Sequence, residues 1–205
     1  MTIAQWRRSI KSDAGFTLTE LLVVTTLLSV VGGMVLAAIM AATRIERKND
    51  SIVLQRTDAQ LALQRLGRDL TVADPLTAAA ANDATMRVYR DGFCEIHRWY
   101  VTPGSDLALD VSQYPASTTC TDATGTPSAV VTTVVAEDAA NGATPLFTYS
   151  RWSGTLNQRT AIASPVPSTS VGQIDRVETT LMLATLSSQP IVEQEAVDLR
   201  NVEIK

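Results

Sequence analysis

The stretch GFTLTELLVVTTLLSVVGGMVLAAIMAAT, Gly15 to Thr43, decides how this chain is read. From Leu21 to Thr43 it holds 23 consecutive uncharged residues. As a helix that run reaches about 34 Å, enough for one bilayer crossing. Directly before it stands a carboxylate, Glu20, where a segment about to enter lipid has least use for a charge. Ahead of Glu20, MTIAQWRRSIKSDAG (1–15) is short and basic, with Arg7, Arg8 and Lys11, as in the n-region of a signal. A secretory signal ends its apolar core after roughly 7 to 15 residues at a small-x-small site. This run is longer, and a cut after Ala38, Ala41 or Ala42 would set Leu36, Ile39 or Met40 at the third position upstream. The segment is therefore expected to be retained. Arg44, Arg47 and Lys48 on its far side match the basic count of the leader, so the positive-inside rule leaves the orientation open.

The helical pattern continues past the apolar run. Ile52, Ala59, Leu63, Leu66 and Leu70 recur at three-, four- and seven-residue spacings, with Arg56, Asp58, Arg65 and Arg68 between them. That is an amphipathic helix whose apolar stripe is expected to face a core. No proline interrupts 16–74, so one continuous helix of about 55 residues from Phe16 to Leu70 is predicted. Pro75 marks its boundary, because the residue before a proline is pushed out of the helical region.

Beyond Pro75 the pattern becomes β-like. MRVYR-DG-FCEIHRWYV reads as a hairpin around Asp91-Gly92, a favoured two-residue turn. AVVTTVVA (129–136) is β-branched, PLFTYSRWSG (145–154) is aromatic and ends in a turn, and VETTLMLAT (177–185) sets Val177, Leu181 and Leu183 against Glu178 and Thr180. The Ser/Thr/Pro/Gly-rich stretches 103–128 and 163–172 read as loops. The domain layout expected is a leader (1–15), a transmembrane or filament-core helix (16–43), the amphipathic continuation (44–74) and a β-rich head (75–205).

Charge narrows the function. From Thr71 onward there are eight basic and fifteen acidic residues, a net of −7. Nucleic acid binding by this region is disfavoured, since such affinity rests on neutralising phosphates. Cys94 and Cys120, both beyond the apolar run, fit one disulfide in an exported chain, with two unpaired thiols as the alternative. His97, the only histidine, lies in a strand-like stretch, and the expected role is structural. There is no nucleophile elbow, paired metal-ligand histidine spacing or phosphate loop, so neither an enzyme nor a cofactor is expected. EDAANG (137–142) reads as an acidic solvated turn, with a cation loop as the alternative.

GFTLTELLVV behind a basic leader resembles the prepilin signal of type IV pilins and pseudopilins. The resemblance implies cleavage by the prepilin peptidase between Gly15 and Phe16, and methylation of the new Phe16 amine. It also makes Glu20 the fifth mature residue, the glutamate through which such subunits assemble. ALQRLGRDLTVADP (62–75), LFTYSRWSG (146–154) and VDLRNVEIK (197–205) are similar to the J-type minor pseudopilins of type II secretion and related minor pilins. Ala37 stands where many pilins carry a kinking proline, and Gly32-Gly33 is the nearby soft point. The implied fold is α+β and pilin-like, a long N-terminal helix packed on an antiparallel sheet. The implied partners are other pilin subunits, the prepilin peptidase, an inner-membrane assembly platform and membrane lipid. The implied location is the cytoplasmic membrane with the head outside, and then a pilus or pseudopilus. Two rivals stay open: an uncleaved, signal-anchored extracellular enzyme or receptor, and an adhesin carried on a pilin stem.

Overall fold

The computed structural model describes residues 17–115, 120, 123, 125–185 and 189–199. The chain divides into two units, Met1–Asn49 and Asp50–Lys205. Helix α1, Leu18–Val72, contributes to both.

In the first unit every described residue is exposed, Leu21, Leu22, Leu27, Leu28 and Met34 among them. This helix is long and apolar enough to cross a membrane. The hydroxyls within its uncharged run are compatible with lipid because each bonds the helix's own backbone. Thr25 and Thr26 donate to the Leu22 carbonyl at 3.0 Å, Ser29 to that of Thr25 at 2.8 Å, and Thr43 to that of Met40 at 3.1 Å. The helix runs unbroken through Gly32-Gly33.

In the second unit, α1 buries Ala59, Ala62, Leu63, Leu66, Gly67, Asp69 and Leu70. This is the predicted stripe with Ile52 only half-buried, and with Ala62, Gly67 and Asp69 added. The helix ends at Val72, two residues beyond the predicted Leu70 and two short of the end drawn for the amphipathic segment 44–74. Residues Ala73–Ala80 leave it directly as strand β1.

Strands β2 (Asp83–Arg90), β3 (Phe93–Val101), β4 (Leu107–Gln113) and β5 (Val131–Ala136) complete a five-stranded antiparallel sheet in chain order, β1 to β5. The β2–β3 hairpin turns at Asp91 and Gly92, whose φ values of 51° and 83° are the positive pair that such a turn requires. β4 corrects the reading of 103–128 as loop. Leu107, Ala108 and Leu109 are buried at its start and Asp110 is half-buried, a short apolar run obscured by the Ser/Thr/Pro-rich residues around it. The second sheet is antiparallel in the order β7-β6-β8-β9, with β6 Phe147–Ser153, β7 Gln158–Ile162, β8 Arg176–Leu183 and β9 Ile191–Asp198. A one-turn helix α2, Ser168–Val171, corrects the reading of 163–172 as loop throughout; Val171 is buried against the core.

One core joins these parts. Leu63, Leu66 and Leu70 of α1 pack with Met86, Trp99 and Leu109 of the first sheet and Phe147, Tyr149, Val177 and Leu181 of the second. The sheets are stitched at one end, where the Phe147 N–H donates to the Ala81 carbonyl and the Tyr149 hydroxyl to that of Ala80. The architecture is α+β, a long N-terminal helix packed against antiparallel sheets, consistent with a pilin-like fold.

Candidate functional site

At the head of α1 the structure gives Glu20 a partner that the sequence reading did not name. The Thr17 carbonyl accepts the first helical bond, from the Leu21 N–H at 3.1 Å. The Glu20 N–H donates to Thr17 Oγ1 at 3.3 Å, and the Thr17 N–H and hydroxyl donate to Glu20 Oε2 at 3.4 and 3.3 Å. This reciprocal exchange is a capping box, and it satisfies amide hydrogens that helix geometry leaves unpaired. The positive end of the helix dipole also favours a carboxylate there. The Thr-x-x-Glu spacing that carries the motif was visible in TLTE. Gly15 and Phe16, the expected cleavage pair, lie outside the described residues.

A second polar constellation is buried where α1 meets the first sheet. Asp69, 1% exposed on the helix, accepts from Trp99 Nε1 at 3.1 Å and lies 2.7 Å from His97 Nδ1. Arg90 Nη2 reaches its other oxygen at 3.5 Å. The second ring nitrogen of His97, Nε2, is 2.9 Å from Glu95 Oε2. With a carboxylate at each nitrogen, the imidazolium is the form that donates to both. Burial, the largest single influence, pulls the His97 pKa down, but the hydrogen bonds and charges of Asp69 and Glu95 together outweigh it and raise it. Neither nitrogen is left for a nucleophile, so the group clamps helix to sheet, as expected of a structural histidine.

Cys94 and Cys120 are joined in a disulfide, with 5.0 Å between their Cα atoms, and both are buried. The bridge ties β3 to the connection before β5. Arg87 reinforces it by donating to the Cys120 carbonyl at 3.1 Å while lying over the Tyr114 ring.

Segment 137–142 corrects the reading of a solvated turn. Glu137 and Asp138 are exposed, but Asn141 is 4% exposed. Its Nδ2 donates to the Thr180 carbonyl at 2.6 Å, and its Oδ1 accepts from the Met182 N–H at 3.0 Å. The segment is thereby sewn to β8. Among the described residues, no group of three His, Cys, Asp or Glu side chains is placed to hold a metal ion.

Two close approaches were not legible in the sequence. A side chain at Gly67 would meet the Glu195 carboxylate of β9 lying over the helix. Arg56 of α1 pairs with Glu193 of the same strand at 2.7 Å. Burial raises the Glu195 pKa.

Comparison with known proteins matches residues 10–36 to a family model described as the prokaryotic N-terminal methylation motif. No curated protein matches the chain. The matched stretch includes Gly15, Phe16, Thr17 and Glu20 together with the first part of the apolar run. It supports a type IV pilin-like protein that is a substrate of the prepilin peptidase and assembles with other pilins, and it points to a structural rather than an enzymatic family. With the apolar N-terminal helix, the motif fits a membrane-anchored pilin.

Proposed function

We propose that this chain is a minor pilin or pseudopilin, a subunit of a type IV pilus or of the pseudopilus of type II secretion. The observation that carries this reading is the methylation motif at 10–36, placed at the head of an uncharged helical run. In this reading residues 1–15 are a leader removed between Gly15 and Phe16. Residues 16–43 hold the subunit in the cytoplasmic membrane and then in the filament core, the helix continues from 44 to Val72, and the residues from Ala73 onward form a head outside the cytoplasm. The prepilin peptidase, an inner-membrane assembly platform and neighbouring subunits are its partners. Stretches 62–75, 146–154 and 197–205 resemble the J-type minor pseudopilins of type II secretion and the related minor pilins of type IV pili alike.

Glu20 has two successive tasks in this account. Before assembly the Thr17 capping box holds its charge locally. In a filament core, where water is scarce, a carboxylate needs an opposite charge, and the Phe16 amine of a neighbour supplies one, because methylation leaves the amine cationic. The pair then rewards a single axial offset between subunits. Glu20→Gln retains an acceptor for the Thr17 amide, so membrane insertion and leader removal should persist while incorporation into sheared filaments falls. Incorporation of processed Glu20→Gln at the wild-type level would contradict the assembly role.

A further inference from the structure

Directly after the uncharged run, α1 carries RIERKND (44–50). At about 3.6 residues per turn Arg44, Arg47 and Lys48 share one face of the helix, and Glu46 and Asp50 lie about 130° round from it. These side chains are all exposed. Among the described residues, no ion pair involves Arg44, Glu46, Arg47 or Asp50. Arg44 and Lys48 stand four apart, as do Glu46 and Asp50, a spacing at which like charges repel. Each face is therefore eased by opposite charge from outside the helix. The position of the cluster is as informative as its charge. The 23 uncharged residues reach about 34 Å against about 30 Å of bilayer hydrocarbon, so the cations behind them emerge at the level of the phosphates. The surplus length is taken up by tilt, and charged residues at the interface are among the anchors that set its direction.

We propose that Arg44, Arg47 and Lys48 bind the phosphates of anionic phospholipid where α1 leaves the membrane, and that this contact sets the side towards which the helix leans. The inference rests on the membrane-anchored reading. Charge and position select the occupant together. The bilayer itself places phosphates at this level, and guanidinium groups pair with them through two parallel hydrogen bonds. The long Arg and Lys stems lie along the apolar edge while their charged ends reach the headgroups. Leaning towards the cation face brings Arg44, Arg47 and Lys48 down onto the phosphates and lifts Glu46 and Asp50, which phosphates repel. Charges mixed evenly round the helix would give no such direction. An acidic protein surface would match the charge but would not account for a cation face placed straight after the apolar run.

The test reconstitutes the full chain into phosphatidylcholine vesicles with and without phosphatidylglycerol. Native mass spectrometry should find phosphatidylglycerol retained on the chain in preference to phosphatidylcholine. Each cation near an anionic surface is worth about fivefold in affinity, so Arg44→Gln with Arg47→Gln should cut that preference by about fivefold or more. The leader is the same in both chains, so its cations cancel. Arg65→Gln with Arg68→Gln, the same change of charge farther along α1, should leave the preference unchanged. The lean is read from the depth of a spin label at Ser51→Cys, on the cation face, and at Asn49→Cys, behind it. Cys94 and Cys120 are joined to each other and take no label. In an upright helix position 49 is the deeper by about 3 Å. In phosphatidylglycerol vesicles position 51 should be the deeper, and Arg44→Gln with Arg47→Gln should restore the upright order. No phosphatidylglycerol preference, an equal loss in the Arg65 and Arg68 variant, or position 49 deeper throughout would each overturn the proposal. Alkaline carbonate extraction reports insertion separately. A chain washed from the vesicles would sink the anchored reading and this inference together, whereas an inserted chain without the preference sinks the inference alone.

Discussion

Replacing Asp69 by Asn tests the clamp between α1 and the first sheet. Asp69 is 1% exposed and serves His97 at 2.7 Å, Trp99 at 3.1 Å and Arg90 at 3.5 Å. The Arg90 contact is long and its side chain is half exposed, so it contributes at most about 1 kcal/mol. The other two are buried hydrogen bonds to a charged group, about 1.5 to 3 kcal/mol each. Asn keeps the shape of Asp but leaves the His97 cation short of a counter-charge, and breaking one side of a buried pair costs about 3 to 5 kcal/mol. We expect a loss of that size, a large share of the roughly 5 to 15 kcal/mol that holds a domain together. At about 2 to 4 °C per kcal/mol for a chain of this size, the transition should fall by about 6 to 20 °C. Urea or thermal unfolding of the full chain in detergent, followed by fluorescence including that of buried Trp99, measures it. His97→Phe and the double variant complete a cycle, in which a coupling above about 1 kcal/mol marks a direct interaction. The pH dependence supplies the sign. A raised His97 pKa adds stability that is fully present below the unfolded value of about 6.5 and is lost as pH rises through the higher folded value. Asp69→Asn should flatten that decline. A loss under about 1 kcal/mol with the pH dependence unchanged would refute the clamp.

Removing both cysteines, as Cys94→Ala with Cys120→Ala, should lower unfolding stability by about 3 kcal/mol, read as a reduced urea midpoint, with a steeper slope because the freed denatured chain exposes more surface. Burial raises the Glu195 pKa, so the stability that its protonated form provides is full below the unfolded value of about 4.3 and is lost as pH rises through the folded value. Glu195→Gln should accordingly raise the transition temperature at neutral pH and leave it unchanged at strongly acidic pH. Gly67→Ala should stabilise by about 1 kcal/mol only when Glu195→Ala has cleared the space for its Cβ, because helix propensity favours Ala and the Glu195 carboxylate opposes it.

What the sequence disclosed divides along the line between local and non-local forces. Helix α1 was legible because its two patterns, an uncharged run and then a stripe at Ala59, Leu63, Leu66 and Leu70, persist over many turns. The β2–β3 hairpin was legible because Asp91-Gly92 specifies its own turn. β1 was not, because ADPLTAAA is rich in alanine and contains a proline; pairing with β2 makes it a strand. β4 was hidden by the loop-like residues around it. Asp69 and His97 are 28 positions apart, and only the packing of the helix on the sheet makes them partners. The Thr17–Glu20 exchange is the reverse case, a local motif present in the sequence and read only for its charge. The Gly15–Phe16 cleavage pair is expected from resemblance alone, since a peptidase site is set by the enzyme that reads it.

The central claim, that this chain is a processed pilin subunit, is tested most directly by mass analysis of the intact protein and its N-terminal peptide from membranes of cells with an active prepilin peptidase. The account predicts a chain beginning at Phe16 with a methylated amine, and accumulation of the uncut form for Gly15→Leu. A native chain that retains residues 1–15 in those cells would contradict it.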